Sequence, residues 1–288
     1  EMQDVINRKI TFAQLMEYIK EQTSRLVNDV LLGDFGLNEK DMLITFSGGR
    51  GYHVHVRTPD VLTLPSGARR EIADYLTGKG LDLNKILIDA GYTKEYPIRG
   101  KGLERKNLGI EKLPDRESKG WQGIISRFIN QKLDDLRDMD DENKDKELKK
   151  IGIPMDMLNL KKGNEEAFNK LPKSPKKKFV RIALKETAIH PDEPVTGDIH
   201  RLIRLPGSLH GKTGLMVKTL SKTELDDFDP YKIPIAFGNK PIKVRNVVGR
   251  AVTMGNDHIL KKDEVTTLPE FVAIYFMAMK FATLCLET

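Results

Sequence analysis

A short glycine-rich segment carries the first group of side chains that could do chemistry, Ser47-Gly48-Gly49-Arg50-Gly51-Tyr52-His53. Its glycines allow neighbouring backbone N–H groups to converge on an anion. Ser47, Arg50 and His53 add a hydroxyl, a guanidinium and an imidazole beside that turn. The pattern predicts a site for a phosphate chain such as a triphosphate. An ordinary hairpin with a surface arginine is the alternative, because a glycine-rich turn alone has low specificity.

A second concentration of polar side chains lies about 150 positions later, between Asp198 and Gly214. Fifteen positions contain an aspartate, two histidines, two arginines and a lysine, namely Asp198, His200, Arg201, Arg204, His210 and Lys212. If the residues before Pro206 form a helical turn, the cationic side chains share one face. The apolar ones then point to the core, namely Leu202, Ile203 and Leu205. A core role alone explains this composition poorly, so we predict a functional site.

Hydrophobic periodicity predicts the elements that position the first segment. Residues 11–32 place apolar side chains on one helical stripe, with Thr11 and Gln14 in capping-box spacing. Residues 42–46 and 52–57 predict two strands around the glycine turn, with His53 and His55 on one face. The first candidate site is therefore predicted at the tip of a β-hairpin.

The rest of the chain is predicted as helices followed by strands. Helices are predicted at 68–76, 83–90 and 121–136, an irregular connection at 94–119, and a flexible basic loop at Lys173–Lys178. The charged tract at 134–150 predicts a solvated helix or a linker. Strands are predicted at 179–184, 195–199, 215–218, 233–237 and 242–254, before a closing helix at 269–284. We therefore expect an α+β fold with a mixed β-sheet core, a β-rich C-terminal half and helical insertions.

Composition limits the possible classes of protein. The 288 residues carry a net charge of +6, with 39% hydrophobic and 31% charged side chains, a balance typical of folded soluble chains. The longest apolar stretch, at 271–286, is broken by Lys280 and so predicts a buried helix, not a membrane span. Cys285 is the only cysteine, which excludes a disulfide or a cysteine-built zinc site within the chain and fits a reducing cytoplasm. No signal-like segment follows Glu1, so we expect that an upstream portion is missing.

Two stretches of sequence, FSGGRGYHVHV and DIHRLIRLPGSLHGKTGL, resemble the signature regions of archaeal and eukaryotic DNA primase small subunits in their order and separation. Weaker support comes from GDFGLNEKD before the first stretch, from Gly120-Trp121, and from Pro194-Val195-Thr196 ahead of Asp198. The resemblance covers most of the chain. It implies a template-directed nucleotidyltransferase, a DNA-dependent RNA polymerase that makes short primers for replication.

The resemblance also implies roles for individual residues. In that family three carboxylates hold two divalent ions, Mg²⁺ or Mn²⁺, which align the primer 3′-hydroxyl with the α-phosphate of the incoming nucleotide. Asp198 matches the third carboxylate, and is thus the expected catalytic residue and metal ligand. The residues expected at the nucleotide are Ser47, Gly48, Arg50, His53, Arg204 and His210 at the phosphates, His200 near the sugar, and Ser208 and Lys212 as further contacts.

The sequence departs from the family pattern in three places. An Asp-x-Asp pair should lie on a strand upstream of the glycine turn, and nothing between Glu1 and Ser47 supplies it. Gly49 stands where many relatives carry a second arginine, and one cysteine excludes the zinc knuckle that many members have. We therefore expect a primase catalytic core over 1–288 that lacks its N-terminal part, with a helical and charged insertion at about 94–178.

Partners follow from the same resemblance: nucleoside triphosphates, a single-stranded DNA template and a primase large subunit in a heterodimer, with no membrane. The expected location is the cytoplasm of an archaeal cell, near the nucleoid. Without the Asp-x-Asp pair, a non-catalytic module that binds nucleotide or single strands is the main alternative. A metal-dependent phosphohydrolase is a third candidate, with His190 and Asp192 near Asp198 as its possible additional ligands.

Overall fold

A computed structural model describes residues 11–98, 102–230, 232, 234–254 and 256–285. The helices, in chain order, are α1 (Phe12–Arg25), α2 (Pro59–Leu62), α3 (Ser66–Thr77), α4 (Gly120–Asp138), α5 (Asp141–Ile151), α6 (Asn164–Asn169), α7 (Lys173–Thr187), α8 (Glu193–Gly197), α9 (Lys222–Asp226) and α10 (Glu270–Ala278). The strands are β1 (Met42–Phe46), β2 (Tyr52–Val56), β3 (Ile88–Asp89), β4 (Tyr92–Ile98), β5 (Gly102–Leu108), β6 (Glu111–Lys112), β7 (Lys218–Leu220), β8 (Pro241–Asn246), β9 (Arg250–Met254), β10 (Asn256–Leu260), β11 (Val265–Pro269) and β12 (Ala282–Leu284). A π-helical segment, Leu26–Asp34, follows α1, and 3₁₀ turns cover Glu39–Asp41, Leu83–Lys85, Met155–Met157 and Leu160–Lys162. Helices and small antiparallel sheets confirm the predicted α+β class.

The chain divides into two compact units. The first comprises Glu1–Leu32, Gly36–Pro65 and Asp198–Thr288, and the second comprises Gly33–Phe35 and Ser66–Gly197. The predicted insertion at 94–178 lies inside the second unit. Both candidate segments, the glycine turn and the stretch from Asp198, lie in the first unit. None of the helices in the described ranges is long and apolar enough to cross a membrane.

The first unit holds the predicted hairpin within a three-stranded antiparallel sheet of order β2-β1-β7. Thr45 lies opposite His53 on one side and Thr219 on the other, so these three side chains share a face. The opposite face carries buried Ile44 and Phe46, which pack with other apolar side chains, namely Met16, Val27, Leu220, Leu225 and Phe228. Alternation along β1 therefore separates a polar face from the core.

Helix α1 begins with a capping box and contributes to the core behind β1. The Thr11 hydroxyl accepts a hydrogen bond from the Gln14 N–H, and the Gln14 side chain accepts one from the Thr11 N–H. This capping box satisfies two backbone donors at the start of the helix, as the sequence predicted. Met16 of α1 is buried in the cluster behind β1.

A second cluster in the first unit is built by the C-terminal elements. The sheet β11-β8-β12 and the hairpin β9–β10 pack with α10, whose Val272 and Phe276 are fully buried with Val244 of β8. The predicted closing helix ends at Ala278, earlier than expected. Lys280 has a left-handed φ of 61°, a conformation that terminates a helix, and β12 follows.

The second unit is organised by α4, which was predicted correctly. Its apolar stripe is buried against α7 and its neighbours, with Ile125, Ile129 and Leu133 fully enclosed. The Trp121 ring donates its Nε1–H to the carbonyl of Tyr75 at 3.0 Å. Asp34 accepts hydrogen bonds at 2.7 Å from the Tyr75 hydroxyl and from the Gly120 N–H. Polar bonds thus fix the first turn of α4.

Several predictions in the middle of the chain are wrong. Residues 179–184 belong to α7, where Phe179, Val180 and Ala183 are buried at helical intervals. The predicted strand at 195–199 is instead the short helix α8 and an irregular segment. The predicted basic loop Lys173–Lys178 is the start of α7, because proline is tolerated in the first turn of a helix. The described part of 233–237 forms no strand.

Two further predictions were wrong about secondary structure before α4. Residues 83–90 form one 3₁₀ turn and the short strand β3, not a helix. The predicted irregular connection contains a regular hairpin, in which β4 and β5 pair from Tyr92 opposite Leu108 to Ile98 opposite Gly102. Charged strands such as β5 lack the apolar alternation that sequence periodicity detects.

Candidate functional site

The glycine turn is closed by Ser47. Its N–H donates to the Gly51 carbonyl at 2.9 Å, and its Oγ accepts hydrogen bonds from the N–H groups of Gly49 and Gly51, each at 3.3 Å. Gly48 has a left-handed φ of 72°, which requires glycine or a strained residue. Ser47, Gly48 and Gly49 are buried while Arg50 is exposed. The Ser47 oxygen thus receives two of the N–H groups expected to face an anion.

The second motif forms a tight loop between Gly207 and Val217. Gly207 donates its N–H to the Val217 carbonyl at 2.7 Å, and His210 donates its N–H to the Leu215 carbonyl at 2.8 Å. At the tip of the loop, the Gly214 N–H returns to the His210 carbonyl at 2.8 Å. The backbone of His210 is therefore held by the loop on both its donor and its acceptor side.

Gly214 and Tyr275 anchor this loop to the C-terminal elements. Gly214 has a φ of 72°, and a Cβ there would lie 2.5 Å from the Met254 Cε and 2.7 Å from the Tyr275 ring. The Tyr275 hydroxyl, from α10, donates to the Lys212 carbonyl at 2.6 Å. No larger residue fits at 214 without displacing one of these side chains.

The glycine turn and the second loop are in direct contact. A Cβ on Gly48 would lie 2.7 Å from the His210 Cβ, and a Cβ on Gly49 would lie 3.1 Å from the His210 Nε2. The Thr213 hydroxyl donates to the Gly48 carbonyl across 165 positions of sequence. The absence of side chains at 48 and 49 is what allows the imidazole to lie against the turn. The two motifs therefore meet at His210 and Thr213.

Positive charge and burial act together on His210. Only 9% of its surface is exposed. Burial lowers the pKa of the His210 imidazole below its ordinary value, and the charges of Arg204 and Lys212 lower the pKa further. An anion placed among these groups would reverse the electrostatic part of that shift. Two positively charged side chains therefore act on an imidazole that lies against the glycine turn.

His53 and His55 project from one face of β2, as predicted. They pair with Thr45 and Leu43 of β1, and their ring centroids lie 6.1 Å apart. Burial, and then the charge of Arg57, lowers the pKa of His55. His53 is the nearer of the two to the glycine turn along the strand. Thr45, which pairs with His53, lies two positions before Ser47 in the chain.

The remaining predicted site residues lie in the second motif, and their bonds are local. The Asp198 carboxylate accepts the His200 N–H at 2.9 Å, and the Ser208 hydroxyl donates to the Leu205 carbonyl at 2.6 Å. Asp198, His200, Arg204 and Lys212 are exposed. In the described part of the chain, neither Asp198 nor His200 makes a hydrogen bond or ion pair with the glycine turn.

The predicted helical turn before Pro206 does not form. Residues 201–205 have no regular secondary structure, and Leu202, Ile203 and Leu205 are exposed by 96%, 45% and 74%. The expectation that they point to the core is wrong. Gly207 donates its N–H to the Val217 carbonyl, so the backbone at this point is engaged in the loop and does not continue a helix.

Sequence reasoning missed Thr213 and Thr45. The Thr213 hydroxyl contacts both Gly48 and the His210 Nδ1, and threonine hydroxyls commonly bond to nearby backbone in turns. The position of Thr213 between Lys212 and Gly214 was the available signal. Thr45 is 1% exposed, and its Oγ1 has no hydrogen-bond partner among the described residues. Its placement on the face of His53 emerges only from strand pairing.

The expected pair of divalent ions requires several clustered donor side chains. Within the described ranges, no three His, Cys, Asp or Glu side chains cluster so that they could hold a metal ion. Asp198 is the only carboxylate that the resemblance of the sequence motifs assigns to the ions, and one carboxylate does not make a two-ion site. The described residues therefore do not fit the expected pair of divalent ions.

Comparison with known proteins accounts for both motifs. The DNA primase small subunit family matches residues 11–221. The chain is 38% identical to the DNA primase small subunit of Methanococcoides burtonii over 93% of its own length and 70% of that protein. It is 37% identical to the corresponding protein of Methanothrix thermoacetophila, over 94% of the chain and 71% of the relative. For Natronomonas pharaonis the identity is 33%, over 95% and 70%. The chain therefore belongs to the DNA primase small subunit family.

Proposed function

We propose that this chain is the catalytic subunit of a DNA primase, which joins nucleotides into short primers on a single-stranded DNA template. The proposal is supported above all by the contact between the glycine turn and the His210 loop. That contact brings His210, on which the charges of Arg204 and Lys212 act, against the glycine turn, and binding of a triphosphate requires such a group of cationic side chains. We infer the polymerisation reaction itself from the function of the family.

The triphosphate would be held by side chains of both motifs. Arg50 and His53 extend from the turn and β2, while Arg204, His210 and Lys212 come from the second motif. Arginine offers a planar, permanently charged fork suited to phosphate oxygens, and lysine acts as a point charge. Ser47 would act mainly by shaping the turn, because its Oγ already accepts two backbone N–H groups. His200 near the sugar and Ser208 remain predictions from the resemblance.

Asp198 would provide one ligand for Mg²⁺ or Mn²⁺, which supply Lewis-acid stabilisation of the reacting phosphate when bound. Because the described residues offer no matching carboxylates, we derive no step through a metal ion. A binding module for nucleotide or single strands is therefore a second candidate. It needs the phosphate cradle of the turn and the loop, and no metal cluster.

Primer synthesis on a single-stranded template, together with direct nucleotide binding, tests both candidates. The intact protein is given labelled nucleoside triphosphates, template and Mn²⁺. We expect synthesis that Asp198→Ala abolishes while nucleotide affinity and Tm stay unchanged. Asp227→Ala, at another exposed aspartate, is the matched control and should behave as the wild type.

The outcomes separate the candidates. Synthesis retained in Asp198→Ala would remove the metal assignment. A wild-type protein that binds nucleotide but makes no primer favours the binding module. Absence of nucleotide binding would contradict both. We also propose that the chain works with a primase large subunit as a heterodimer, which co-elution of the two purified proteins in gel filtration would test.

A further inference from the structure

Thr213 lies at the centre of the contact between the two motifs. Its Oγ1 bonds to the Gly48 carbonyl, accepts the Leu215 N–H at 3.2 Å, and lies 3.1 Å from the His210 Nδ1. Its own N–H donates to the His210 carbonyl at 3.2 Å. One small side chain thus touches the turn, the loop and the imidazole.

Counting hydrogens at this hydroxyl determines the donor in each bond. A hydroxyl has one hydrogen and two lone pairs. The Gly48 carbonyl has no hydrogen to give, so the single hydroxyl hydrogen points to Gly48. The Leu215 N–H takes one lone pair, which leaves the other lone pair for His210. The His210 Nδ1 must therefore carry a hydrogen.

We infer that Thr213 is a positioning residue that holds the His210 imidazole with its hydrogen on Nδ1 and its Nε2 facing the glycine turn. The bond made by one ring nitrogen determines which nitrogen is protonated. Nε2 lies 3.1 Å from the position of a Cβ on Gly49, so this atom faces the buried turn. The use of this arrangement for a triphosphate rests on the proposed function.

The fixed tautomer has a consequence for anions. A neutral His210 held in this way presents a lone pair at Nε2, and a lone pair repels phosphate oxygens. His210 can donate from Nε2 only as the imidazolium, so triphosphate binding takes up a proton. The other charged or titratable groups on the elements around the ring are Arg204 before the loop, Lys212 in it, Arg50 in the turn, His53 on β2 and Tyr275 on α10. The positive charges among them favour the neutral ring until an anion arrives.

The first experiment is NMR of the ¹⁵N-histidine-labelled protein without nucleotide, at about pH 8, where an imidazole of lowered pKa is neutral. In the wild type we expect the hydrogen of His210 on Nδ1. Thr213→Val keeps the shape but removes the hydroxyl, and should shift the hydrogen to Nε2 in most molecules. Thr213→Ser should restore Nδ1, and Thr223→Val, at an exposed threonine of α9, should change nothing. A wild-type hydrogen on Nε2, or an unchanged tautomer in Thr213→Val, would overturn the inference.

The second experiment measures ATP affinity between about pH 6 and pH 8, the range in which histidine titrates. Wild-type affinity should fall with rising pH more steeply than that of Thr213→Val, whose Nε2–H can donate without proton uptake. At the lower pH, Thr213→Val should bind about three- to tenfold more weakly because the ring is no longer held. Parallel pH profiles would reject the proton-uptake step. Absence of ATP binding by the wild type would reject the proposed function, while the tautomer result would still decide the role of Thr213.

Discussion

At the scale of single residues, the contact between the two motifs depends on glycines, because they have no side chain that would keep His210 away from the turn. Gly48 and Gly49 are buried beneath His210, and any side chain at either position would meet the imidazole or the Leu215 carbonyl. The atom nearest to the missing Cβ of Gly49 is the His210 Nε2, at 3.1 Å. The local charge at this point therefore depends on whether the imidazole carries a proton.

Arg50→Ala and His53→Ala should each raise the KM for nucleoside triphosphate. Each removes a hydrogen bond to a charged phosphate, worth about 1.5–3 kcal/mol, which corresponds to roughly ten- to a hundredfold in KM. Steady-state primer synthesis at varied nucleotide concentration measures this. Arg57→Ala, at the far end of β2 from the turn, is the matched control and should leave KM within about twofold. An unchanged KM in both test variants would contradict the phosphate cradle.

Among the features of the site, the shared face of two histidines was predicted correctly from sequence. The alternation of side chains along a strand predicts that His53 and His55 share a face, and their pairing with β1 confirms it. The composition of the second motif includes His210 among its candidate site residues. Thr213 escaped because its role depends on the Gly48 carbonyl 165 positions away. A hydrogen bond from a side chain to distant backbone produces no periodic pattern of residues by which the sequence would reveal it. Nucleotide contacts of Ser47 and Ser208 stay predictions, and the structure adds that their hydroxyls bond within their own turns.

At the scale of elements, the loop from Gly207 to Val217 contains Gly214, a position that admits no side chain without strain. Gly214→Ala should lower the free energy of unfolding by about 2–4 kcal/mol, since it adds a left-handed alanine and a clash with Met254 and Tyr275. Urea denaturation measures this. ATP affinity should fall as well, because the turn of backbone that holds His210 is displaced.

Gly211→Ala is the matched control for this loop, since a Cβ there meets nothing within 4 Å. We expect a change of less than about 0.5 kcal/mol in the free energy of unfolding and unchanged ATP affinity. Equal effects at positions 211 and 214 would show that the contacts with α10 do not anchor the loop.

Helix α7 provides a second test at this scale. Lys176 is only 4% exposed, and its Nζ donates to the carbonyls of Glu111 at 2.6 Å and Asn169 at 2.8 Å. Lys176→Ala should lower the free energy of unfolding by about 2–4 kcal/mol, because two acceptors lose their donor and the packed stem is lost. Lys177→Ala, one residue later and exposed, should cost less than about 0.5 kcal/mol. If both variants unfold alike, Lys176 has no such role.

The errors in predicted elements have a common physical cause. Lys176 in a run of lysines and a Ser174-Pro175 pair suggested a solvated loop, yet tertiary bonds bury that lysine and start a helix. The β-branched and aromatic residues at 179–184 suggested a strand, and packing against α4 made them helical. Amphipathic α1 and α4 were predicted well because their periodicity is long. Short apolar runs are compatible with either state until their neighbours are known.

At the scale of the whole molecule, two histidines make the free energy of unfolding depend on pH. Burial lowers the pKa of both His55 and His210 below the ordinary 6.5, so the fold favours their neutral forms. Above pH 6.5 both states are neutral and these groups have no effect. As pH falls below 6.5, the unfolded chain binds protons first, so stability decreases until the folded histidines also titrate.

Urea denaturation of the intact protein at pH 7.5 and pH 5.5, values at about one unit either side of the histidine pKa, should therefore show lower stability at the lower pH. Shifted carboxylates do not interfere, because hydrogen bonds hold the pKa of Asp134, Asp140 and Glu147 below already acidic values. Replacing His55 and His210 together with Asn should flatten the difference. His190→Asn, at an exposed histidine, is the control and should not. Equal stability of the wild type at both pH values would contradict the shifts.

Because the bond between Thr213 and Gly48 spans a long stretch of sequence, the order of synthesis on the ribosome determines when it can form. Gly48 leaves the peptidyl-transferase centre 165 residues before Thr213. At about 5–20 residues per second, that interval is on the order of ten to thirty seconds. During it the nascent hairpin has an unpaired β1 edge, which β7 covers only later. A ribosome that stalls before Thr213 therefore displays the glycine turn without the loop that contacts it, and an exposed strand edge that is open to other nascent chains.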